Sequence, residues 1–505
     1  MSTKLNFGKY IEQRVSNQLD ILLVTASFES VSLITAYSQN DHGVKLDDTS
    51  HYPLGLAYLH SYLESKGRSV RTLWLNNYDE EFCVSRVIDS ICECRPLVIG
   101  FQMLTPNRVC TYRLIERIHK QFPEILVVAG GIHATLMYNQ LLNRFEYLYI
   151  VMGEGELTLS ELLDHVINGK FDFSHIDGLA YVANGKVTVT NRRCLIGNLD
   201  SLPFPKHSLF FTENRLSGCI QTSRGCPFKC SFCCLDAISH GKVRFRSVEN
   251  VVDEIEFMVK SFPAMKNIWI HDDTFFLDTD RVIKFCDEII KRNISIEFIC
   301  SGRAKPLTAE MVDKLEQANF TNVLIGLESG DEGILARCNK NISRSDVVNA
   351  FNLFSTSRIR LMAFLIVGLP GETRETILNT AKFIKKLQKI KYVDYDNVAV
   401  LTVYPGTEVY RLCVSSGYLD DGYWLSDLPT PLYTLENSAD QLFAYKNLLL
   451  EHISYRKLFS INGLLFQFDM LPRIFGHIIR YDIRYLMSLA VNKILNLLFS
   501  AIGRS

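Results

Sequence analysis

Residues 223–234 read SRGCPFKCSFCC, and this stretch decides the kind of fold and chemistry to expect. It places Cys226, Cys230 and Cys233 in a Cys-x3-Cys-x2-Cys arrangement directly after a strand-like run at 219–223. Three thiolates on one short loop can converge on one face of a metal cluster, and soft thiolates suit iron–sulfur clusters and zinc. A structural zinc site usually has a fourth protein ligand at matched spacing, and none is obvious here. A loop of three cysteines leaves one iron of a cluster open, and an open iron can chelate a further ligand.

Outward from this loop, strand-like runs alternate with amphipathic stretches through the second half of the chain. Helices are predicted at 248–261, 307–318 and 373–388 because apolar residues recur there at helical spacing. Strands are predicted at CIQTS (219–223), NIWIHDD (267–273), IEFICSGR (296–303), NVLIGLES (322–329), RLMAFLIVG (360–368) and DNVAVLTVYPG (396–406). Six such βα units are compatible with a three-quarter barrel, although six strands could equally lie open.

The first part of the chain alternates in the same way. Strands are predicted at 20–28, 68–75, 96–104, 124–131 and 147–156, and helices at 53–67, 80–94 and 106–121. Such βαβ spacing predicts an open parallel α/β domain, in which ligands bind beyond the carboxyl ends of the strands. Residues 102–106, 130–135 and 153–156 fall at those ends.

The predicted organisation is α/β throughout, with a helical C-terminal region. The segments are an N-terminal extension (1–19), a Rossmann-like domain (20–168), an irregular connecting segment (169–217), a partial (βα)6 barrel (218–430) and a helical C-terminal region (431–505). The tail from 454 reads as a basic amphipathic helix, which either packs on the barrel or contacts a membrane surface. Its charges are Arg456, Lys457, Arg473, Arg480, Arg484, Lys493 and Arg504 against Asp469 and Asp482.

Composition excludes several classes of protein. The 505 residues are 47% hydrophobic and 22% charged, which is ordinary for a globular chain and allows about three domains. The net charge of −1 argues against a nucleic-acid binder that neutralises phosphates. No run of about 18 apolar residues predicts a spanning helix, and the N-terminus shows no secretory signal. The 14 cysteines are spread along the chain, so most are expected to be buried thiols in a reducing cytoplasm; Cys234 is expected not to be a cluster ligand.

Several motifs, taken in order, resemble one family. They are YPLGLAYL (52–59), GGIHAT (130–135), GEGE (153–156), SRGCPFKCSFC (223–233), HDDTF (271–275), GLESGDEGIL (326–335), VGLPGET (367–373) and YPGTEVY (404–410). In this order and spacing the chain resembles the radical S-adenosylmethionine superfamily, specifically its cobalamin-binding class, over about residues 20–410. The fifth-strand region departs from the superfamily's Gly-x-Ile-x-Gly-x-x-Glu pattern, because Phe364 replaces the first glycine.

The resemblance implies that Cys226, Cys230 and Cys233 ligate a 4Fe–4S cluster. S-adenosylmethionine would bind the open iron and be cleaved to a 5′-deoxyadenosyl radical, chemistry that belongs to the cofactors. The expected contacts are Asp272 and Asp273 with its ammonium group, Ser301 and Arg303 with its carboxylate, Glu328 and Ser329 with ribose hydroxyls, Gly368 to Glu372 by close backbone approach, and Tyr404, within Val403 to Pro405, with adenine. Each of these carboxylates could instead cap a helix or form a salt bridge, and the glycines could serve turns alone.

The resemblance also implies cobalamin in the first domain. Gly130, Gly131 and His133 of GGIHAT would meet the nucleotide tail of cobalamin, and Gly153 and Glu154 of GEGE lie at the next strand end. The Asp-x-His-x-x-Gly motif that supplies a lower axial histidine is missing, since none of the 12 histidines has Asp two residues before it. Its absence fits cobalamin bound without a histidine ligand, and also a domain that has lost cobalamin.

Two radical reactions fit the resemblance. One is cobalamin-dependent methylation of an unactivated carbon in a small molecule or lipid. The other is a non-methylating cyclisation or rearrangement, with or without cobalamin. A tRNA methylthiotransferase is disfavoured because the N-terminal half has no second three-cysteine cluster, and a corrinoid or iron–sulfur sensor has no need of a whole barrel. The expected partners are a small-molecule or lipid substrate and a flavodoxin or ferredoxin-type electron donor, in the cytoplasm, with the tail at a membrane surface as an open option. No catalytic side chain is singled out; Cys338 and Cys413 could donate hydrogen but are expected to be buried structural thiols.

Overall fold

Two β-sheets, each with its own helices, form the body of the protein. The structure is a computed structural model, and it describes residues 18–28, 52–76, 78–211, 216–394 and 398–454. The expected α/β class is therefore confirmed, with one sheet in each half of the chain. Residues 1–17 of the N-terminal extension and the basic tail beyond 454 lie outside the described residues.

The first sheet has seven strands in the order β2-β1-β3-β4-β5-β6-β7. Strands β1 to β5 pair in parallel, and helices cover them. The strands are β1 (Ile21–Thr25), β2 (Val70–Trp74), β3 (Val98–Gln102), β4 (Leu126–Gly130), β5 (Tyr149–Val151), β6 (Leu179–Ala183) and β7 (Lys186–Val189). The helices are α1 (Leu54–Ser65), α2 (Glu80–Cys94), α3 (Arg108–Gln121), α4 (Ile132–Leu136), α5 (Tyr138–Arg144) and α6 (Gly155–Ile167). All five residues of β1 are buried, as expected of a parallel strand covered on both faces.

The segment 169–217 differs from its expected irregular structure. It contributes the antiparallel strands β6 and β7, which extend the first sheet beyond β5. Asn184 and Gly185 form the turn between them, with φ of 53° and 72°, the left-handed backbone that two-residue hairpins need. The strand expected at 147–156 is also shorter, because Gly153 turns the chain at φ 73° and α6 begins at Gly155.

The second sheet is an open, all-parallel partial barrel. Its order is β15-β14-β13-β12-β11-β8, and β16 pairs with β14 beside β15. The strands of this half are β8 (Ser217–Ile220), β9 (Ser223–Arg224), β10 (Arg244–Phe245), β11 (Asn267–Ile270), β12 (Glu297–Gly302), β13 (Phe320–Glu328), β14 (Arg360–Val367), β15 (Val393–Asp394) and β16 (Val398–Val400). Strands β9 and β10 form a separate antiparallel ribbon. The six expected βα units are thus found, although the last expected strand, 396–406, is shortened to β16.

The helices of the second half lie outside its sheet. They are α7 (Asp236–Ser239), α8 (Val248–Ser261), α9 (Thr279–Lys291), α10 (Ala309–Gln317), α11 (Glu332–Arg337), α12 (Arg344–Phe354), α13 (Arg374–Ile390), α14 (Glu408–Ser415) and α15 (Ala439–Ser454). Side-chain caps fix the residue at which several of these helices begin. In α8, for example, the Ser247 hydroxyl accepts the Asn250 N–H at 3.2 Å, so the helix begins where its apolar periodicity begins. Within the described ranges, no helix is long and apolar enough to cross a membrane.

A segment that follows the barrel closes over the first domain. The Tyr112 hydroxyl on α3 donates to the Trp424 carbonyl at 2.9 Å, and the fully buried Arg108 donates to the Leu428 carbonyl. The Arg108 guanidinium also lies 5.4 Å from the Trp424 ring, which has no exposed surface. This clamp, formed by α3 and residues 421–430, joins the two halves of the chain on the side of α3.

Candidate active site and cofactor cavity

The three-cysteine loop runs from the end of β9 to α7, and the fold shapes it tightly. Gly225 has φ 97°, and a Cβ at this position would lie 2.1 Å from the Lys242 carbonyl oxygen, so only glycine fits. Two elements of the barrel brace the loop, because the Ser231 N–H donates to the Cys338 carbonyl at 3.0 Å and the Val409 N–H donates to the Ser231 carbonyl at 3.1 Å. These two hydrogen bonds anchor the middle of the loop, at Ser231, to the barrel.

Cys226, Cys230 and Cys233 are free thiols and are half-buried on this loop. Burial raises the pKa of Cys226 and raises the pKa of Cys233 to about 12, so these thiols stay protonated until a cation displaces the proton. Among the described residues, no three His, Cys, Asp or Glu side chains are grouped to hold a metal ion. A cubane cluster takes each thiolate on a different iron, so its ligands need not meet at one point.

Arg303 follows β12 and faces the cysteine loop. Its Nη1 lies 3.7 Å from the Cys230 Sγ, and its guanidinium lies 3.7 Å from the Phe228 ring centroid. The side chain is buried, yet Nε and Nη2 have no hydrogen-bond partner in the described part of the chain. A buried guanidinium with open donors fits a carboxylate placed beside the cluster. The partner expected for this guanidinium is the carboxylate of S-adenosylmethionine. Ser301, expected to contact the same group, lies two residues earlier on β12 and is half-buried.

The structure gives Asp272 and Asp273 different surroundings. Asp272 is buried and accepts four hydrogen bonds from the backbone N–H groups and hydroxyls of Thr222 and Ser223, at 2.5 to 3.1 Å. Both of its oxygens are thereby engaged in holding the chain that leads into the cysteine loop. Asp273 is exposed, and its carboxylate accepts the Gly225 N–H at 3.0 Å; partial desolvation beside the loop raises its pKa. Of the two, Asp273 is the carboxyl that borders the cysteine loop.

Glu328 and Ser329 lie at a distorted strand end. Glu328 has φ 62°, and the register of β13 against β14 shifts between Gly326 and Glu328. Its Oε1 accepts the Lys340 Nζ at 2.5 Å in a buried ion pair, and Lys340 also lies 5.9 Å from the Phe232 ring of the cysteine loop. Ser329 has no exposed surface, and its hydroxyl lies 3.1 Å from the Thr380 Oγ1 on α13. Left-handed backbone at a residue such as glutamate is typical of functional sites.

The remaining expected contacts lie in the loops that follow β14 and β16. The Gly368 N–H donates to the Glu372 carboxyl, and burial raises the pKa of Glu372 to about 7. This carboxyl therefore shapes its own loop. Tyr404 is half-buried after β16, and its carbonyl accepts the Thr407 hydroxyl at 2.8 Å.

A cavity of about 340 Å³ separates the first sheet from the barrel. Its apolar wall comes from β1, β3, β4, β5, α1 and α6, and its polar rim includes Glu154, Glu156 and Arg224. Six glycines line it, which lets a ligand approach the backbone closely: Gly55, Gly100, Gly130, Gly131, Gly153 and Gly155. The strand ends that are expected to meet cobalamin thus meet at one cavity, and its apolar wall with a glycine-rich edge fits the tail of a large cofactor.

His133 lies apart from this cavity. It has no exposed surface, its Nδ1 lies 3.1 Å from the Thr105 Oγ1, and its Nε2 lies 3.0 Å from the Tyr112 hydroxyl. Burial lowers its pKa to about 3, so the ring is neutral near neutral pH. The structure therefore places His133 in the interior of the first domain, beside the clamp, rather than among the residues that line the cavity.

Sequence reasoning does not single out several residues of this region. Tyr58, Arg224 and Glu156 line the cavity, and Lys340 pairs with Glu328 across 12 residues. Tyr58 belongs to YPLGLAYL and Arg224 to SRGC, so membership of a motif is the available signal for them. Cys338 and Cys413 are buried, as expected, and burial raises the pKa of each to about 11.

Comparison with known proteins matches both halves of the chain. Residues 220–384 match the Radical SAM superfamily model, and residues 47–163 match the B12 binding domain model. An uncharacterized methyltransferase, PH0819, of Pyrococcus horikoshii is 30% identical over 383 residues, which cover 74% of this chain and 81% of that protein. The anaerobic magnesium-protoporphyrin IX monomethyl ester cyclase of Rubrivivax gelatinosus is 29% identical, in a match that covers 71% of this chain and 66% of the cyclase.

A solved structure shares the arrangement of domains. The cobalamin-dependent S-adenosylmethionine radical enzyme OxsB, with aqua-cobalamin and S-adenosylmethionine bound, superposes with a TM-score of 0.63 at 18% identity. The match covers 79% of this chain and 61% of OxsB. At this identity the likeness concerns the fold: a first α/β domain stacked on a partial barrel.

Proposed function

Because the chain belongs to the radical S-adenosylmethionine superfamily, in the class with a B12-binding domain, we propose that it methylates an unactivated carbon of a small molecule or lipid. The observation that carries the proposal is that the cavity is lined by the residue that leads into the cysteine loop. Arg224 lines the cavity, and Cys226 follows it by two residues. Two cofactor sites joined in this way suit a reaction in which a radical and a methyl donor act on one substrate.

The cofactors of this enzyme are a 4Fe–4S cluster, S-adenosylmethionine and cobalamin. When bound, they supply one-electron cleavage of S-adenosylmethionine and a transferable methyl group. In the proposal, Cys226, Cys230 and Cys233 hold the cluster, and Arg303 holds the carboxylate of S-adenosylmethionine beside it. Asp273 is proposed to accept the ammonium group.

The other proposed contacts follow from the strand ends. Glu328 and Ser329 remain proposed for the ribose, and Ser301, Gly368, Glu372 and Tyr404 complete the proposed S-adenosylmethionine set. Gly130, Gly131, Gly153 and Glu154 are proposed to hold cobalamin, while His133 is proposed to support the domain from within. A carbon radical has to be kept from water, and the position of the cavity between the first sheet and the barrel suits that requirement.

The experiment begins with protein purified anaerobically from cobalamin-fed cells. We expect about four irons and one cobalt per chain by elemental analysis, the contents that these cofactors require. With a reductant and S-adenosylmethionine labelled in its methyl group, label should appear in the bound corrinoid and then in a substrate from a panel of lipids and small molecules. Cys230→Ala should lose the iron, and Cys234→Ala is the matched control. Iron without cobalt after careful reconstitution would contradict the proposal.

A second candidate function is a non-methylating cyclisation. The Rubrivivax gelatinosus relative, whose name describes a cyclase, supports it at 29% identity. Both functions begin with cleavage of S-adenosylmethionine at the cluster, so the fate of the labelled methyl group separates them. Turnover with 5′-deoxyadenosine release and an unlabelled product would favour cyclisation, whereas a labelled product would favour methylation.

We also propose a reductant of the flavodoxin or ferredoxin type, and peripheral membrane contact through the tail beyond 454. The tail's basic excess carries the membrane part of the proposal. Co-sedimentation with anionic vesicles should be lost in a chain truncated after residue 453. Equal sedimentation of both chains would contradict tail-mediated contact.

A further inference from the structure

Arg224 stands where the cofactor cavity meets the cysteine loop. Its side chain lines the cavity, and its backbone ends β9, directly before Gly225 and Cys226. No other residue on the cavity wall lies this close in sequence to a cluster cysteine. A displacement of the Arg224 backbone is therefore transmitted to Cys226, the first cluster ligand, through only two peptide units.

The guanidinium of Arg224 is held by two glutamates of the first domain. Nη1 lies 3.1 Å from the Glu154 Oε1, and Nη2 lies 2.8 Å from the Glu156 Oε1. Its guanidinium carbon also lies 4.9 Å from the ring centroid of Tyr58 on α1. The side chains of Arg224 and Glu154 are each 14% exposed and that of Glu156 is 5% exposed, so the ion pairs are mostly buried but keep some contact with water.

Arg244 on the neighbouring strand β10 also binds the Glu154 carboxylate. Arg244 pairs with Arg224 across the β9–β10 ribbon, and its Nη1 donates to Glu154 at 2.8 and 2.9 Å. Two arginines of the barrel thus meet two glutamates of the first domain, and the four charges balance. A buried ion pair adds little net stability once desolvation is counted, but it fixes geometry, because an unpaired buried charge is strongly unfavourable.

We propose that Arg224 is a positioning residue that makes the geometry of the cysteine loop depend on whether corrinoid fills the cavity. Glu154, Glu156 and Arg224 form part of the cavity wall, so a bound corrinoid displaces water from them. Ion pairs strengthen when water leaves, and the arginine then holds the start of the loop in one position. This inference rests on the proposed function only in requiring that a corrinoid bind in the cavity.

The test compares the cluster with and without hydroxocobalamin, using protein that carries a reconstituted cluster. The readouts are the rate of iron loss to a chelator and the EPR spectrum of the reduced cluster. In the wild type, cobalamin should slow iron loss several-fold and shift the EPR signal. In Arg224→Gln, which lacks both ion pairs, bound cobalamin should leave both readouts unchanged, and Arg224→Lys should restore part of the effect.

Arg193→Gln is the matched control. Arg193 pairs with Glu161 at 3.0 Å on α6, the helix that also carries Glu156, but it lines no part of the cavity. This variant should behave as the wild type. If Arg224→Gln fails to retain a cluster, Glu156→Gln removes one partner while keeping the arginine, and it should reduce the cobalamin effect.

The failures are distinguishable. Cobalamin that binds with no effect on the wild-type cluster, or with an equal effect in Arg224→Gln, overturns the inference and leaves the proposed function intact. If Arg224→Gln retains no cluster, the test falls to Glu156→Gln. A cobalamin effect in that variant as large as in the wild type also overturns the inference. Failure of the wild type to bind cobalamin overturns both the inference and the proposed methylation.

Discussion

Replacing Gly225 with alanine should destabilise the cysteine loop in two ways at once, through backbone strain and through a steric clash. The residue has φ 97°, and a left-handed backbone disfavours a side chain by about 1–2 kcal/mol. The new Cβ would also lie 2.1 Å from the Lys242 carbonyl oxygen, and such overpacking adds about 1–3 kcal/mol. The sum of roughly 2–5 kcal/mol corresponds to a fall of roughly 5–20 °C in the melting temperature of a domain of this size.

Gly241→Ala separates the two contributions. Gly241 has φ 68°, but a Cβ there would meet only the Asp236 Oδ1, at 3.9 Å, so this variant should show the backbone contribution alone. Thermal unfolding by circular dichroism and iron content after reconstitution are measured for both variants under anaerobic conditions. Gly225→Ala should melt lower and bind less iron than Gly241→Ala. Equal melting temperatures and iron contents would refute the steric argument for the loop.

Three further predictions concern single side chains. Arg303→Gln should weaken binding of S-adenosylmethionine roughly 10- to 100-fold, because a hydrogen bond to a charged group contributes about 1.5–3 kcal/mol. The iron content of this variant should stay unchanged. Calorimetric titration measures the affinity, and an unchanged affinity would exclude the carboxylate contact. Burial lowers the pKa of His133 from 6.5 to about 3. Between these two pH values the histidine is protonated in the unfolded chain but not in the folded protein, so the wild type loses stability as pH falls from 6.5 towards 3. His133→Ala should therefore show a weaker loss of urea midpoint between pH 6.5 and 4 than the wild type, and it should still bind cobalamin; an identical slope would contradict the buried, neutral histidine. Burial raises the pKa of Glu372 to about 7 from 4.5, so its contribution is present below pH 4.5 and is lost as pH rises to 7, and Glu372→Gln should flatten that part of the urea-midpoint profile.

Much of the fold can be predicted from sequence because its signals are local. The helices expected at 80–94 and 248–261 have those bounds in the structure. The side chains of Asp79 and Ser247 cap their first turns and so fix where the two helices begin. The hairpin at 179–189 carries a clear Asn184–Gly185 turn signal. Pro203 and Pro205, further along the same segment, favour a connecting segment instead. Only the pairing with β5 shows that the hairpin belongs to the sheet.

The candidate site is less accessible to sequence reasoning, because its contacts join distant elements. Asp272 reads as an open carboxylate at a strand end, yet the pairing of β8 with β11 brings Thr222 and Ser223 onto it. His133 lies in a glycine-rich motif that does reach the cavity, but the short helix α4 turns its ring inward to Tyr112. The cysteines need no such contacts, because three ligands on one loop are spaced by the sequence itself.

The clamp of α3 with residues 421–430 also bears on how the protein is made. Domains fold largely in the order in which they leave the ribosome, so the first sheet can form before the residues that close over it have been synthesised. Trp424 and Leu428, which meet α3, are more than 300 residues further along the chain than Tyr112 and Arg108. During synthesis the wall of the cavity that belongs to the first domain is therefore complete while the barrel wall is still absent. The apolar surface of that wall is therefore exposed to solvent until the barrel has been synthesised and packs against it.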